Sequence, residues 1–263
     1  FLSERLPHRK PPLVIYLEKP ISVIKCGYEL RTKAILTDEE ATICNIPEIT
    51  DTEALCDILK ALNVDVKRAS ESIVINPQDM QNIEIGEQFS KKLRASYYFM
   101  GALLGKYKKA VMHFPGGCSI GARPIDLHLK GFEALGATVT NEQNKYIVEA
   151  EELHGANIYL DIASVGATIN TILASVLKGN TTIIKNAARE VEVVDLVNFL
   201  NKMGAKIIGA GTNEIEVTGV KKLKDTSYNI MPDRIETGTF LSFAVATKGN
   251  LILENTNATH ITP

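Results

Sequence analysis

An internal repeat constrains this chain more than any other feature, because three stretches of similar plan follow one another. Each reads as an amphipathic helix, a short turn and a hairpin, then a second helix and a closing strand. The first copy has a helical pattern at 52–62 (TEALCDILKAL), a turn at Asn63 and a strand at 72–75. The second has a helix at 125–135, Gly136-Ala137, and strands at 138–140 and 146–149. The third has a helix at 193–203, Gly204-Ala205, and strands at 206–208 and 214–217. Apolar residues recur at steps of three and four in each helix, and Gly136 and Gly204 stand where a helix end needs a positive φ.

The second helices correspond as well. One at 167–177 ends at Lys178-Gly179-Asn180 before a strand at 181–185. Another at 238–247 ends at Lys248-Gly249-Asn250 before a strand at 251–254. In the first copy, 95–104 ends at Gly105-Lys106 and leads to a strand at 110–114. The two Lys-Gly-Asn turns lie 70 positions apart, and Gly136 and Gly204 lie 68 apart. That period is too long for a solenoid and suits a βαβαββ unit in which each helix buries one stripe on a sheet. Three such units round an axis place layers of helices inside sheets. The expected fold class is therefore α/β, built from βαβαββ repeats. The last unit stops soon after its second helix, so the natural protein is expected to continue past Pro263.

Of the 263 residues, 45% are hydrophobic and 23% charged, with a net charge of -2. That balance provides no positive field for nucleic acid or an anionic membrane, and no apolar run reaches the roughly 20 residues of a membrane span. The four cysteines form no CxxC pair, and the five histidines show no metal-ligand spacing. The expectation is a cytoplasmic protein with reduced thiols, no metal and no cofactor. Cys56, on the apolar face of the first helix, and Cys44, in a strand-like run, read as core. Residues 1–35 are net positive and broken by Pro7, Pro11, Pro12 and Pro20, with no clear fold signal. Their acids and their scarcity of serine argue against a transit peptide. The opening Phe1 suggests numbering that starts inside a longer product.

The densest chemical signal is the run 115–126, PGGCSIGARPID. Glycines at 116, 117 and 121 free its backbone for close approach to a ligand. Cys118 in such a loop is either an exposed thiol activated by Arg123, serving as nucleophile or proton donor, or a small apolar residue in a tight turn. Asp126 opens the next helix as its cap or as a base. Arg94 follows Lys91-Lys92 and leads into a helix, which suits either an anion site or a solvated patch. The run Ser164-Val165-Gly166-Ala167-Thr168 opens another helix, as a phosphate grip or as an ordinary cap on Ser164. Arg189 and Glu190 precede the third repeat's first helix, where an acid suits the helix dipole. Asp233, Arg234 and Glu236 open the last helix as a cleft element or as solvated turn chemistry.

Taken in order, these runs resemble one family. PGGCSIGARPIDLH at 115–128 is similar to the reactive-cysteine loop of UDP-N-acetylglucosamine 1-carboxyvinyltransferases. LRAS at 93–96, SVGAT at 164–168, NAARE at 186–190 and PDRIETGTF at 232–240 resemble the same family in the same order. The resemblance spans about residues 36–263. It implies an inside-out α/β barrel fold of three repeat units per domain, with the domain here at 36–228 and a second beginning at 229–263. It also implies transfer of the enolpyruvyl group of phosphoenolpyruvate to the 3-hydroxyl of UDP-N-acetylglucosamine, the first committed step of peptidoglycan synthesis. By that resemblance Cys118 protonates the enolpyruvyl methylene carbon, Arg123 binds phosphoenolpyruvate, and Arg94 contacts the nucleotide. Arg123, Pro124, Ile125, Asp126 and Leu127, with Ser164, Val165 and Gly166, line the UDP-sugar pocket.

The chain also departs from the family. Residues 1–35 lack the Lys-Asn pair with which the family opens, a pattern that an altered upstream reading frame explains. Ile162 stands where many members carry lysine. The late acidic base and several arginines lie beyond Pro263, so these residues by themselves are expected not to turn over. Two other readings stand beside this one. One is the sister enzyme acting on shikimate 3-phosphate, which lacks the cysteine loop. The other is a non-catalytic UDP-sugar-binding fragment or decayed gene product.

Overall fold

A computed structural model describes residues 13–15, 34–69, 71–116, 124–177 and 179–261 of the chain. These fall into two compact units, one of residues 34–231 and one of residues 13–15 with 232–261.

The larger unit repeats one motif three times. A strand is followed by an amphipathic helix and then by a hairpin whose second strand returns beside the first. In the first copy these are β2 (Ala41–Cys44), α1 (Thr50–Ala61), β3 (Asp65–Ala69) and β4 (Ser72–Asn76), with β4 antiparallel to both β2 and β3. In the second they are β5 (Lys109–His113), α4 (Asp126–Ala134), β6 (Thr138–Glu142) and β7 (Lys145–Glu149). In the third they are β9 (Thr181–Lys185), α6 (Val191–Lys202), β10 (Lys206–Ile208) and β11 (Glu214–Thr218). Gly136 and Gly204 end α4 and α6 at φ 94° and 97°, the left-handed values that glycine adopts most readily.

Each sheet gains a parallel partner at its other side. Ile85, just before the one-turn helix α2 (Glu87–Ser90), bridges Met112 on β5, and β8 (Asn157–Tyr159) pairs with β9. The crossovers that return these partners to their sheets contain α3 (Tyr98–Tyr107) and α5 (Val165–Ser175). In the remaining sheet, β12 (Thr226–Asn229) pairs in parallel with β2, so the last strand of the unit lies beside its first described strand. Side chains reinforce that closure. Thr37 Oγ1 donates to Leu223 O at 3.1 Å, and Glu39 accepts from Lys222 at 2.5 Å and from the Asp225 amide at 2.9 Å.

The core helices are α3 and α5. Tyr98 to Gly105 on α3 and Gly166 to Ser175 on α5 are buried throughout, as befits helices apolar on every face. They lie in parallel register: Gly101 faces Asn170, and Gly105 faces Leu173 and Ala174. A β-carbon at Gly105 would lie 2.5 Å from Leu173 O, so side chains are excluded where the two backbones meet. This corrects the reading of Gly105 as a helix end. The helix runs through it to Tyr107 and stops at Lys108, in a left-handed conformation at φ 61°. In the second Lys-Gly-Asn turn Lys248 likewise takes the positive φ, 51°, rather than Gly249.

In the smaller unit, β1 (Leu13–Ile15) pairs in parallel with β13 (Leu251–Leu253), near α7 (Arg234–Thr247) and a 3-10 turn, Ala258–Ile261. The strand β1 lies in the leader that carries no sequence signal. The helix at 238–247, read as the third repeat's second helix, is α7 and belongs to this unit. Its Ile235, Leu241, Phe243 and Val245 are exposed.

Candidate active site

The sequence-predicted residues of the larger unit gather because the helices run in parallel. His128 and Gly131 of α4 face Gly166, Asn170 and Thr171 of α5, and α3 rises beside α5 in the same sense. The first turns of all three helices therefore share one end. The free amides and partial positive charge of helix N-termini converge there.

Arg94 opens the 3-10 turn Arg94–Tyr97 that leads into α3, and its guanidinium lies 5.8 Å from the Tyr97 ring centre. Ile125 is buried as the residue before α4, while Pro124 and Asp126 are exposed and Leu127 half-buried. Asp126 lies within the first turn and makes no capping hydrogen bond, which sets aside the cap role read for it. Ser164 does cap α5, its Oγ accepting from the Ala167 amide at 3.3 Å, with Val165 and Gly166 next in line. The Ala188 amide donates to Thr168 Oγ1 at 3.1 Å, anchoring the loop that carries Arg189 and Glu190 against the first turn of α5. Arg189 is exposed and Glu190 half-buried.

Cys118 and Arg123 lie outside the described residues, as does Cys26. The described root of their loop is firmly placed. Phe114 N donates to Asn144 O at 2.9 Å, and the Phe114 ring packs 4.6 Å from Tyr146. Gly116 N donates to Ser90 O at 2.9 Å, and a side chain at 116 would collide with the Lys91 backbone. The loop therefore starts against the segment that delivers Arg94.

Asp233, Arg234 and Glu236 belong to the smaller unit. Asp233 is buried and caps α7, its Oδ1 accepting from Ile235 N at 2.7 Å and Glu236 N at 3.2 Å. It acts as a helix cap rather than as a solvated turn residue. Among the cysteines, Cys56 is buried as read. Cys44 is only half-buried and, with Asn45, Glu71, Ser72 and Asn229, lines an open cavity of about 420 Å³. Ile162, before Ser164, is 69% exposed.

Four residues with no role in the sequence reading complete the cluster. His128 is 6% exposed and lies edge-on to Tyr97 at 4.7 Å. Its burial, reinforced by the charge of Arg94, pushes the imidazole down to about 3, so the ring is neutral at physiological pH. Asn170 donates to His128 Nδ1 at 2.7 Å. Burial raises the Tyr146 phenol, with Arg94 opposing and Asp126 adding to the shift, which places both charges in reach of that ring. One signal pointed to Asn170: a lone amide within the apolar run of its helix, where a buried polar group needs partners.

Cationic Arg94 and the amides at the head of α5 form a surface suited to an anionic ligand. A family model described as EPSP synthase (3-phosphoshikimate 1-carboxyvinyltransferase) matches residues 32–262. The chain belongs to the EPSP synthase family. Within that family it is 51% identical over 227 residues to UDP-N-acetylglucosamine 1-carboxyvinyltransferase 2 of Bacillus subtilis (strain 168), a match covering 86% of this chain and 53% of the relative. The protein of the same name in Listeria innocua is 50% identical over 228 residues, covering 87% of this chain and 54% of the relative. The chain thus spans about half the length of the curated relatives it matches.

Solved structures share the fold. The enolpyruvyl transferase NikO from Streptomyces tendae superposes with a TM-score of 0.74 at 20% identity, over 85% of this chain and 53% of that one. An EPSP synthase from Acinetobacter baumannii gives 0.70 at 17% identity, over 91% and 55%. The fold is that of this family, with helices α3 and α5 inside and the sheets outside. No helix among the described residues is long and apolar enough to cross a membrane.

Proposed function

We propose that the protein carrying this chain transfers the enolpyruvyl group of phosphoenolpyruvate to the 3-hydroxyl of UDP-N-acetylglucosamine, releasing phosphate. The observation that carries this reading is the gathering of Arg94, Asp126, Leu127 and Ser164 to Gly166 at the shared head of three helices, in a chain about half identical to relatives of that name. In this reading the α5 amides and Arg94 hold the nucleotide, and the segment from Pro124 to Leu127 lines its pocket. Arg123 neutralises phosphoenolpyruvate. The Cys118 thiol gives a proton to the methylene carbon as the sugar hydroxyl, losing its own proton to a base, bonds through its oxygen to the adjacent carbon. Phosphate leaves in a later step, as a methyl proton is lost and the double bond reforms. Arg189 and Glu190 border that pocket. Residues 36–228 make the three-repeat domain and 229–263 begin the next.

The product is the first committed precursor of peptidoglycan, which places the protein in the cytoplasm and links it to cell-wall growth, shape and division. Its partners are the two small molecules, with no nucleic acid, membrane or cofactor needed. The closest competing substrate is shikimate 3-phosphate, but a cysteine loop of the 115–126 type favours the UDP-sugar. Thiol alkylation of Cys118, followed by mass spectrometry, tests the choice. UDP-N-acetylglucosamine should slow the modification, and shikimate 3-phosphate should leave it unchanged. Phosphate release by the complete protein should likewise require the UDP-sugar. Protection or turnover with shikimate 3-phosphate instead would refute the assignment.

A further inference from the structure

The polar contacts of Asn170 are determined by a donor that cannot be reversed. The Gly101 backbone amide donates to Asn170 Oδ1 at 3.1 Å, so the opposite end of the side chain must be the NH₂ group. That group donates to Tyr97 O at 3.2 Å and to His128 Nδ1 at 2.7 Å. Because Nδ1 accepts, the single proton of the neutral ring resides on Nε2. Gly166, second residue of α5, shows where Nε2 points. A β-carbon there would lie 2.9 Å from Nε2 and 3.1 Å from Tyr97 Oη. The ring edge and the phenol hydroxyl thus end at the bare backbone of the Ser164–Gly166 segment, and among the described residues no protein acceptor takes the Nε2 proton.

We propose that Asn170 is a positioning residue, locking His128 in the Nε2–H form and aiming that donor at the head of α5, where the UDP-sugar binds. The inference rests on the functional reading above for the identity of the ligand. One amide thereby joins three helical segments: the 3-10 turn through Tyr97 O, α3 through Gly101 N, and α4 through His128. Arg94 is the charge that favours the neutral form. The 3-10 turn brings Arg94 and Tyr97, α5 carries no ionisable side chain, and Asp126 is the one acid in the first turn of α4. A neutral donor binds an acceptor on the ligand without competing with Arg94 for charge.

Nitrogen-15 NMR of the histidine rings reads the lock directly, the His128 signals being assigned by their loss in His128→Gln. Wild type should show the Nε2–H tautomer, unprotonated from pH 8 to pH 5. In Asn170→Asp the carboxylate accepts from Nδ1, so the ring should switch tautomer and titrate near neutrality. Calorimetric affinity for UDP-N-acetylglucosamine should then fall about tenfold at pH 8 and become pH-dependent, which a purely structural role would not produce. A wild-type ring protonated on Nδ1, or titrating near 6.5, would overturn the proposal even if the variant does not fold. A folded variant with unchanged, pH-independent affinity would also overturn it. A wild type with the Nε2–H tautomer intact but no affinity for the UDP-sugar would uphold the lock and sink the functional reading instead.

Discussion

Helices α5 and α7 make the instructive comparison. Both precede a Lys-Gly-Asn turn and a short strand, and both carry apolar residues on several faces. Yet α5 is buried from Gly166 to Ser175, whereas along α7 the one buried residue is Thr237. Equivalent sequence positions therefore meet different surroundings. α5 is walled by α3, α4 and its sheet, while α7 in its own unit has β13 and a 3-10 turn beside it. Apolar character makes a helix fit for burial, but neighbours distant in sequence determine how much water is removed from it.

Four measurements break or sharpen this contrast. Ile172→Ala in α5 should cost about 2–5 kcal/mol in urea unfolding, because it empties a site with no exposure. Val245→Ala in α7, where the side chain is 79% exposed, should stay within about 0.5 kcal/mol. Equal losses would erase the distinction. Next, Gly105→Val forces a side chain against the α5 backbone and should cost up to about 3 kcal/mol, seen as a lowered Tm.

The third effect depends on pH. His128 is held down to about 3 in the fold, against an ordinary value near 6.5, so the unfolded chain binds more protons between those values. Its contribution to stability is complete above 6.5 and is lost as pH falls towards 3. That amounts to about 2 kcal/mol between pH 6.5 and 4.5. Unfolding of His128→Gln over the same window should show a shallower slope, and identical slopes would mean that the imidazole charges freely in the fold. The smallest effect belongs to α7, where Gly238 has open space around it. Gly238→Ala should stabilise that helix by about 0.5–1 kcal/mol, detectable by helical circular dichroism during unfolding.

Much of the architecture was legible because periodicity reports burial locally. Helices α1, α4 and α6 and strands β4, β6, β7, β10 and β11 lie where apolar patterning placed them, while β3 had no such signal, and Gly136 and Gly204 take the left-handed backbone that their position required. Ser164 was likewise recognisable as a cap. The failures share one cause. Gly105 looked like a stop because isolated glycine usually punctuates a helix, but here it answers to a carbonyl 68 positions away on α5. Strand β1 had no local signal because its pairing with β13 joins opposite ends of the chain. His128 stood within a recognised run without a role, since its meaning depends on Asn170 and Arg94 on other segments.

The amino-acid order by itself determined the threefold repeat, the apolar stripes, most helix ends and the family to which the chain belongs. Each of these follows from interactions spanning a few residues or from a motif read in line. Tertiary structure alone decided which apolar helix is enclosed, where two backbones touch without side chains between them, and which imidazole nitrogen carries its proton. Those outcomes depend on burial and hydrogen bonds between segments tens of residues apart, and folding creates such contacts only when the sheets and helices pack together.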